Sequence, residues 1–204
     1  MTKHGIPEVL LFDLGGVLLD IDFGRAFHAW GEMAGVAPEL LAARYRADEP
    51  YERHERGEIS ASEYFASLRE SLQVALTDAQ FEAGWNALLL AEKREITGLI
   101  AQLPRSLPLY VFSNSNLTHQ RHWMPELAAL LPRFERIFVS SDIGLRKPER
   151  EAYAHVAREI GAAPADILFF DDSLPNVEGA RDAGLHAVHV TTPEVVRAAL
   201  QPYF

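Results

Sequence analysis

Five short apolar segments constrain the fold of this 204-residue chain more than any other feature. Most are hydrophobic at every position, so both faces of a strand formed there would be buried. Continuous apolar runs of this length are typical of parallel sheets that carry helices on both sides. The five predicted strands are VLLFD (9–13), LYVFSN (109–114), RIFVS (136–140), DILFFD (166–171) and HAVHV (186–190).

Helical patterns fill the gaps between these strands. Residues 175–183 predict a short helix that stops at Gly184, and Pro148 is predicted in the first turn of a helix that ends at Gly161. An alternation of strands and helices implies right-handed crossovers between parallel strands. The predicted fold class is therefore α/β, with a Rossmann-like parallel sheet core flanked by helices.

One crossover is far too long for a single helix. About 95 residues separate Asp13 from the second strand, and no good strand pattern lies among them. Capping boxes that begin at Ser60 and Thr77 predict helix starts in this stretch. We therefore predict a helical-bundle cap inserted after the first strand, over the sheet edge where open α/β sheets bind ligands. The predicted boundaries are 1–17 and 91–204 for the core and 18–90 for the cap.

Composition restricts the partners and the compartment. The formal net charge is −10 and the sequence pI is about 5.2, which argues against nucleic acid or an anionic membrane as the main partner. The chain has no cysteine, so it has neither a disulfide framework nor a thiol nucleophile. The segment MTKHGIPE lacks the apolar core of a signal peptide, and no apolar run approaches the roughly 20 residues of a membrane span. We expect a cytoplasmic protein.

Polar side chains stand at or just after the ends of four predicted strands. Each of them alone is an ordinary turn, cap or loop residue. Their occurrence in order at four strand ends is not ordinary, because the carboxyl ends of parallel strands meet at one edge of a sheet. The residues are Asp13, then Ser113 and Asn114, then Lys147, then Asp171 and Asp172.

These groups fit phosphoryl transfer. Clustered carboxylates suit Mg²⁺, which takes one or two carboxylates together with substrate oxygens and water. A carboxylate such as Asp13 can attack phosphorus and form an aspartyl-phosphate. Ser113, the Asn114 amide and Lys147 can hold the phosphate oxygens, and catalysis of this kind depends on positioning and charge neutralisation. A small phosphorylated metabolite is the predicted substrate.

The polar groups belong to four motifs, FDLGGVL, VFSNSN, GLRKPE and FFDDSLPNVEGARDAG. Together these motifs resemble those of the haloacid dehalogenase-like superfamily of hydrolases, and the position of the insertion is similar to its helical cap type. The run DLGGVLLDIDF, with HERGEIS at 54–60, further resembles a branch of small-sugar phosphatases that includes α-D-glucose-1-phosphate phosphatase. The resemblance implies a Mg²⁺-dependent phosphatase for small phosphomonoesters, with sugar phosphates such as glucose 1-phosphate as candidates.

The resemblance also implies a role for each polar group. Asp13 would be the nucleophile and a metal ligand. The other implied metal ligands are the Gly15 backbone carbonyl, Asp171 and Asp172. The implied phosphate-binding groups are Ser113, Asn114 and Lys147, with Asn176 in support.

Gly15 departs from the pattern of the resemblance. Many phosphatases of the superfamily have an aspartate two residues after the nucleophile, which protonates the leaving oxygen and later activates water. Glycine can do neither, although its carbonyl can still face a metal. Asp20, Asp22 and His54 are candidate replacements for the missing acid.

The gap at Gly15 leaves three hypotheses open. The first is a phosphatase that works without the acid, since general acid–base help is about 10²–10⁴-fold and a good leaving group needs less of it. The second is a metal-independent 2-haloacid dehalogenase, in which halide leaves unaided but the pair Asp171 and Asp172 has no function. The third is a non-catalytic protein that binds phosphorylated ligands, which would not need the nucleophile, the lysine and the metal carboxylates together.

Overall fold

The computed structural model describes residues 5–204, so residues 1–4 of the predicted core lie outside the described residues. Its strands, in chain order, are β1 (Val9–Phe12), β2 (Leu19–Ile21), β3 (Leu89–Glu92), β4 (Leu109–Ser113), β5 (Arg136–Val139), β6 (Ile167–Asp171) and β7 (His186–His189).

One sheet of five parallel strands forms the centre of the molecule, in the order β5–β4–β1–β6–β7. These are the five strands that the apolar segments predicted, so the predicted α/β fold class is confirmed. The chain adds β4 and β5 on one side of β1 and then crosses to add β6 and β7 on the other. The strand order therefore reverses around β1, and such a switch point opens a crevice at the carboxyl ends of the strands.

Eleven α-helices are present in residues 5–204. They are α1 (Phe23–Ala34), α2 (Pro38–Arg44), α3 (Glu49–Glu55), α4 (Ala61–Leu72), α5 (Asp78–Ala87), α6 (Arg94–Gln102), α7 (Leu117–Glu126), α8 (Ser140–Ile143), α9 (Arg150–Ile160), α10 (Leu174–Asp182) and α11 (Pro193–Leu200).

Both faces of the sheet are buried. Leu10 and Phe12 of β1 pack on one face against a cluster that includes residues of α6 and α11. Val9 and Leu11 pack on the other face, with residues of α9 and α10. Alternate side chains of a strand point to opposite faces, so a strand covered on both sides must be apolar throughout. This is the physical reason why the apolar runs could be recognised as central strands.

The core helices agree with the prediction except at Pro148. The helix predicted over 175–183 is α10, and Gly184 follows it with a φ of 94°. The helix that ends at Gly161 begins at Arg150, so Pro148 precedes it rather than lying in its first turn. Residues 147 and 148 instead belong to the loop that carries Lys147 to the sheet edge.

Helices α1 to α5 of the insertion have an apolar cluster of their own. It is rich in aromatic residues, and its buried members include Trp30, Tyr64, Phe65, Phe81 and Trp85. The capping boxes predicted at Ser60 and Thr77 are present at the starts of α4 and α5. The helical-bundle character of the insertion therefore agrees with the prediction, while the cap boundaries 18–90 stay a prediction.

The expectation that this stretch contains no strand was wrong. Strands β2 and β3 pair antiparallel at the two points where the chain enters and leaves the insertion. They contain only three and four residues, too few for an alternating pattern to be recognised. Their pairing joins residues about 70 positions apart, so it depends on the tertiary structure. Within residues 5–204, no helix combines the length and apolarity that crossing a membrane requires.

Candidate active site

Asp13 lies directly after β1, at the carboxyl edge of the sheet. Its backbone N–H donates to the Phe170 carbonyl of β6 at 2.8 Å, which extends the strand pairing to the carboxylate itself. Its Oδ1 accepts a hydrogen bond from the Leu14 backbone N–H at 2.7 Å. The side chain is only 8% exposed but lines a cavity of about 340 Å³ at this edge. Asp13 is therefore held in place by backbone groups with one side open to a ligand.

Lys147 is fully buried and lies between two carboxylates. Its Nζ is 2.8 Å from Asp13 Oδ1 and donates to Asp171 Oδ2 at 2.6 Å. Burial alone lowers the pKa of this ammonium, but Asp13 and Asp171 outweigh burial and hold the pKa above its usual range. Lys147 lies behind Asp13 and does not line the cavity itself. An ammonium has three N–H donors, so one remains beyond the two that these carboxylates accept.

The two adjacent carboxylates after β6 have different surroundings. Asp171 is fully buried, and its oxygens accept hydrogen bonds from the Ser173 backbone N–H, from Asn176 Nδ2 and from Lys147. Asp172 is exposed and lines the cavity, whereas Asp171 does not. Asn176 thus supports Asp171, and Asp172 is the carboxylate that is open to a ligand.

The three carboxylates at this sheet edge are suited to binding a divalent cation. Oxygen atoms of Asp13, Asp171 and Asp172 lie within 4.8 Å of one another. Burial raises the pKa of the Asp13 carboxyl well above its usual value; Lys147 opposes this, and the charges of Asp171 and Asp172 add to the increase. Burial and the charge of Asp171 likewise raise the pKa of Asp172. One lysine does not balance three carboxylates, so a bound cation would relieve the remaining repulsion.

Gly16 leaves space for the Asp172 carboxylate. Its φ is 76°, in the left-handed region that favours glycine, and a side chain there would collide with all three terminal atoms of Asp172. The second glycine of the pair thus allows the Asp172 carboxylate to approach the turn after Asp13.

Ser113 and Asn114 follow β4 and both line the cavity. The Asn114 side chain donates to the Lys147 carbonyl at 2.9 Å and accepts from the Lys147 backbone N–H at 2.8 Å. This pair of bonds fixes the loop that carries the lysine. The amide keeps one N–H donor beyond these two bonds, and Ser113 lines the cavity beside it.

Gly15 lines the cavity, but the three candidate acids do not. Asp20 lies 3.2 Å from Lys93 Nζ, and Asp22 caps α1 through the Gly24 backbone N–H. The charged neighbours of His54 in YERHER favour an exposed side chain, but His54 is buried, stacks on Tyr64, and burial lowers its pKa to about 4. The expectation that one of these groups replaces the acid is not supported by their positions.

Sequence analysis missed the residues that enclose the cavity opposite the strand ends. These residues are Ile21, Phe23, Tyr51, Glu55, Trp85, Leu88, Leu89, His119, Trp123 and Arg146. Arg146 stands beside Lys147 in the motif GLRKPE, and Tyr51 and Glu55 are one helical turn apart in YERHER. This adjacency and this spacing were the sequence signals that could have identified Arg146, Tyr51 and Glu55. The apolar residues gave no such signal, because apolar residues at helical spacing occur both in a cavity wall and in a core.

A parallel α/β sheet with carboxylates at its carboxyl edge, enclosed by an inserted helical bundle, defines a hydrolase of the haloacid dehalogenase type. Residues 7–184 match the family model described as haloacid dehalogenase-like hydrolase. This chain belongs to that family, which confirms the resemblance of the four motifs.

The relatives include phosphatases whose names specify different substrates. The chain is 27% identical over 188 residues to the sesquiterpene phosphatase astK of Aspergillus oryzae, covering 90% of each chain. It is 24% identical over 181 residues to the D-ribitol-5-phosphate phosphatase of Bacteroides thetaiotaomicron, covering 86% of this chain and 87% of the relative.

A solved structure is similar over most of both chains. The haloacid dehalogenase family enzyme bt-2542 from Bacteroides thetaiotaomicron, in complex with magnesium and inorganic phosphate, superposes with a TM-score of 0.75 at 26% identity. The superposition covers 90% of this chain and 93% of that enzyme.

Proposed function

We propose that this protein is a Mg²⁺-dependent phosphatase that hydrolyses small phosphomonoesters through an aspartyl-phosphate on Asp13. The prediction of a phosphoric monoester hydrolase agrees with the phosphatases among its relatives, and that of Mg²⁺ with the magnesium complex of the solved relative. The observation that carries the proposal is the cluster of Asp13, Lys147, Asp171 and Asp172 at one sheet edge beneath a cavity.

Each residue has a defined task in this proposal. The Asp13 carboxylate attacks phosphorus, the P–O bond to the alcohol breaks, and the departing alkoxide takes a proton from water. A second water molecule then hydrolyses the acyl phosphate, which releases phosphate and restores Asp13. Mg²⁺, held by Asp13, Asp172 and the Gly15 carbonyl, supplies positive charge for the phosphoryl oxygens. Lys147, which lies behind Asp13 and does not line the cavity, acts by balancing the charge of Asp13 and Asp171. The Ser113 hydroxyl and the Asn114 backbone bind phosphate oxygens, and Asn176 orients Asp171.

Removal of the metal is the direct test of this proposal. Excess EDTA is expected to lower the hydrolysis of p-nitrophenyl phosphate by roughly two orders of magnitude, and added Mg²⁺ to restore it. The reason is that Asp13 and Asp172 would otherwise repel the phosphate dianion. Full activity in EDTA would contradict the metal assignment, and chloride release from a 2-haloacid under those conditions would favour the dehalogenase hypothesis. Tight binding of inorganic phosphate without turnover of any ester would favour a non-catalytic binding protein.

Because residue 15 is glycine, we expect the rate of hydrolysis to depend strongly on the acidity of the leaving alcohol. No group for general acid catalysis is placed at residue 15, so log kcat/KM is expected to fall steeply as the pKa of the leaving alcohol rises, wherever chemistry limits the rate. Aryl phosphates should react faster than alkyl phosphates, and glucose 1-phosphate faster than glucose 6-phosphate, because an anomeric hydroxyl is more acidic. A graded series of esters measures this slope.

Gly15→Asp is the matched variant for that series. A Cβ at position 15 would lie 3.3 Å from Ile21 Cγ2, so the Ile21 side chain must shift slightly to accept it. The added carboxyl is expected to flatten the slope by supplying a proton, with its largest gain on alkyl esters. A flat slope in the unmodified protein would mean that another acid already acts.

The remaining expectations stay predictions. Sugar phosphates, including glucose 1-phosphate, are one candidate substrate class, and the two relatives differ in the alcohol that their names specify. A cytoplasmic location and the lack of nucleic-acid or membrane partners likewise await measurement.

A further inference from the structure

The cavity over Asp13 has two unlike sides. It measures about 340 Å³, near the lower end of the roughly 300–1,000 Å³ typical of ligand sites. The strand ends contribute carboxylates, hydroxyls and amides, including Asp13, Ser113 and Asp172. The insertion and its entry and exit strands contribute mostly hydrocarbon, namely Ile21, Phe23, Tyr51, Glu55, Trp85, Leu88 and Leu89. With the phosphate held at the strand ends, the alcohol of the substrate must face this second side.

Tyr51, Glu55 and Arg146 are polar residues on that side, and they pair with one another or with Glu52. The Tyr51 hydroxyl donates to Glu55 Oε1 at 2.6 Å, and Arg146 Nε donates to Glu55 Oε2 at 2.8 Å. Arg146 Nη1 also lies 3.3 Å from Glu52 Oε1, so carboxylates of α3 balance its charge. Both oxygens of Glu55 therefore accept a hydrogen bond, and two of the five N–H donors of the guanidinium point to carboxylates of α3.

His119, on the neighbouring helix α7, adds no free polar group. Its Nε2 is 3.2 Å from the Trp85 carbonyl, and Nδ1 is 3.5 Å from Asn116 Nδ2. Burial lowers its pKa to about 3, so the ring is neutral at pH 7. A sugar or polyol placed here would lose water from several hydroxyl groups without gaining matching partners, which costs binding for each one.

Trp85 makes the apolar side rigid. Its indole stacks between Trp30 and His119, with ring centroids 5.9 Å and 5.1 Å away, and meets Phe23 and Tyr51 edge to face. A ring held by neighbours on both faces cannot rotate away to expose polar groups. The ring is only 2% exposed, so it supports a hydrocarbon wall whose accessible part comes mainly from Ile21, Phe23 and Leu89.

We propose that the alcohol released by this enzyme is apolar, so that the substrate is the phosphate ester of a small aromatic or branched aliphatic alcohol rather than of a sugar or polyol. This inference rests on the proposed phosphatase function. The specificity-determining surface is the hydrocarbon side formed by Ile21, Phe23, Trp85, Leu88 and Leu89. It disfavours hydroxyl groups, because the polar side chains beside it, Tyr51, Glu55 and Arg146, already pair with one another or with Glu52.

The test compares esters whose leaving oxygen is of the same kind. Benzyl phosphate, glucose 6-phosphate and ribitol 5-phosphate all release a primary alcohol, so polarity rather than leaving-group acidity is the main difference. With Mg²⁺ present, kcat/KM for benzyl phosphate is expected to exceed both others by at least about 10-fold. Equal or faster turnover of either polyol ester would overturn the inference. No Mg²⁺-dependent turnover of any ester, p-nitrophenyl phosphate included, would instead overturn the proposed function.

A polar substitution in the hydrocarbon side tests its role directly. Ile21 is 37% exposed, so Ile21→Asn should keep the fold while placing an amide beside the alcohol. It is expected to reduce the preference for benzyl phosphate over ribitol 5-phosphate by at least about 3-fold. Leu40→Asn is the control, because Leu40 is a 44% exposed leucine of α2 outside the cavity. This variant should prefer benzyl phosphate over ribitol 5-phosphate as strongly as the unmodified protein does. An unchanged preference in Ile21→Asn would contradict the proposed specificity surface.

Discussion

Asp13→Asn is expected to lower kcat/KM for p-nitrophenyl phosphate by at least about 10⁴-fold, because the amide cannot attack phosphorus. The fold should remain intact, since the remaining side-chain oxygen can still accept from the Leu14 backbone N–H and from Lys147. Initial rates at saturating Mg²⁺, with circular dichroism on the same samples, measure both effects. Acid quenching during turnover should leave one phosphoryl group on Asp13 of the unmodified protein and none on the variant.

Asp20→Asn is the matched control for this substitution. Asp20 is also near the end of a strand, but it is exposed, pairs with Lys93 and does not line the cavity. Its activity should change less than about threefold, because it lies outside the proposed machinery. Normal turnover by Asp13→Asn, or phosphoryl label on another residue, would show that the nucleophile has been misplaced.

Lys147→Met is expected to reduce both activity and stability. Without the ammonium, the buried carboxylates Asp13 and Asp171 face each other unpaired, and breaking a buried pair costs about 3–5 kcal/mol of the free energy of unfolding. Activity should fall by about 10³-fold, as when a positioned charge is lost from a transition state. Denaturant titration and initial rates on the folded fraction separate these two effects.

Two further variants test whether the stability lost in Lys147→Met comes from the unpaired carboxylates. Adding Asp13→Asn to Lys147→Met removes one of the unpaired charges, so the double variant should recover part of the lost stability. Arg136→Met removes an exposed cation that pairs with Glu159, and should cost less than about 1 kcal/mol. A loss for Lys147→Met no larger than that for Arg136→Met would contradict a structural role for the buried lysine.

The phosphate-facing half of the site could be predicted because it follows from the strands. Asp13 and Asp171 are placed by the last residues of β1 and β6, and neighbouring parallel strands bring their ends together. Ser113 is placed in the same way by β4. Lys147 follows no strand directly; its motif identified it, and two hydrogen bonds to the Asn114 side chain fix its loop.

The division of roles between the paired carboxylates was not predictable. Asp171 and Asp172 are chemically identical neighbours, and only the structure places one beneath Lys147 and Asn176 and the other in the cavity. The same holds for His54, whose charged neighbours in the sequence suggested an exposed side chain. Its burial depends on Tyr64, which lies on the next helix.

The sequence by itself determined the fold class, the helical insertion and the carboxylate edge of this protein, since these follow from local periodicity and from how parallel strands must align. The alcohol-facing side of the cavity was decided by the tertiary structure alone. Ile21, Tyr51, Trp85 and Leu88 come from separate elements, and apolar side chains at helical spacing are equally compatible with a core and with a cavity wall. Which of their surfaces remains open depends on how the insertion packs against the sheet edge, through long-range contacts such as those of Arg146 with Glu52 and Glu55.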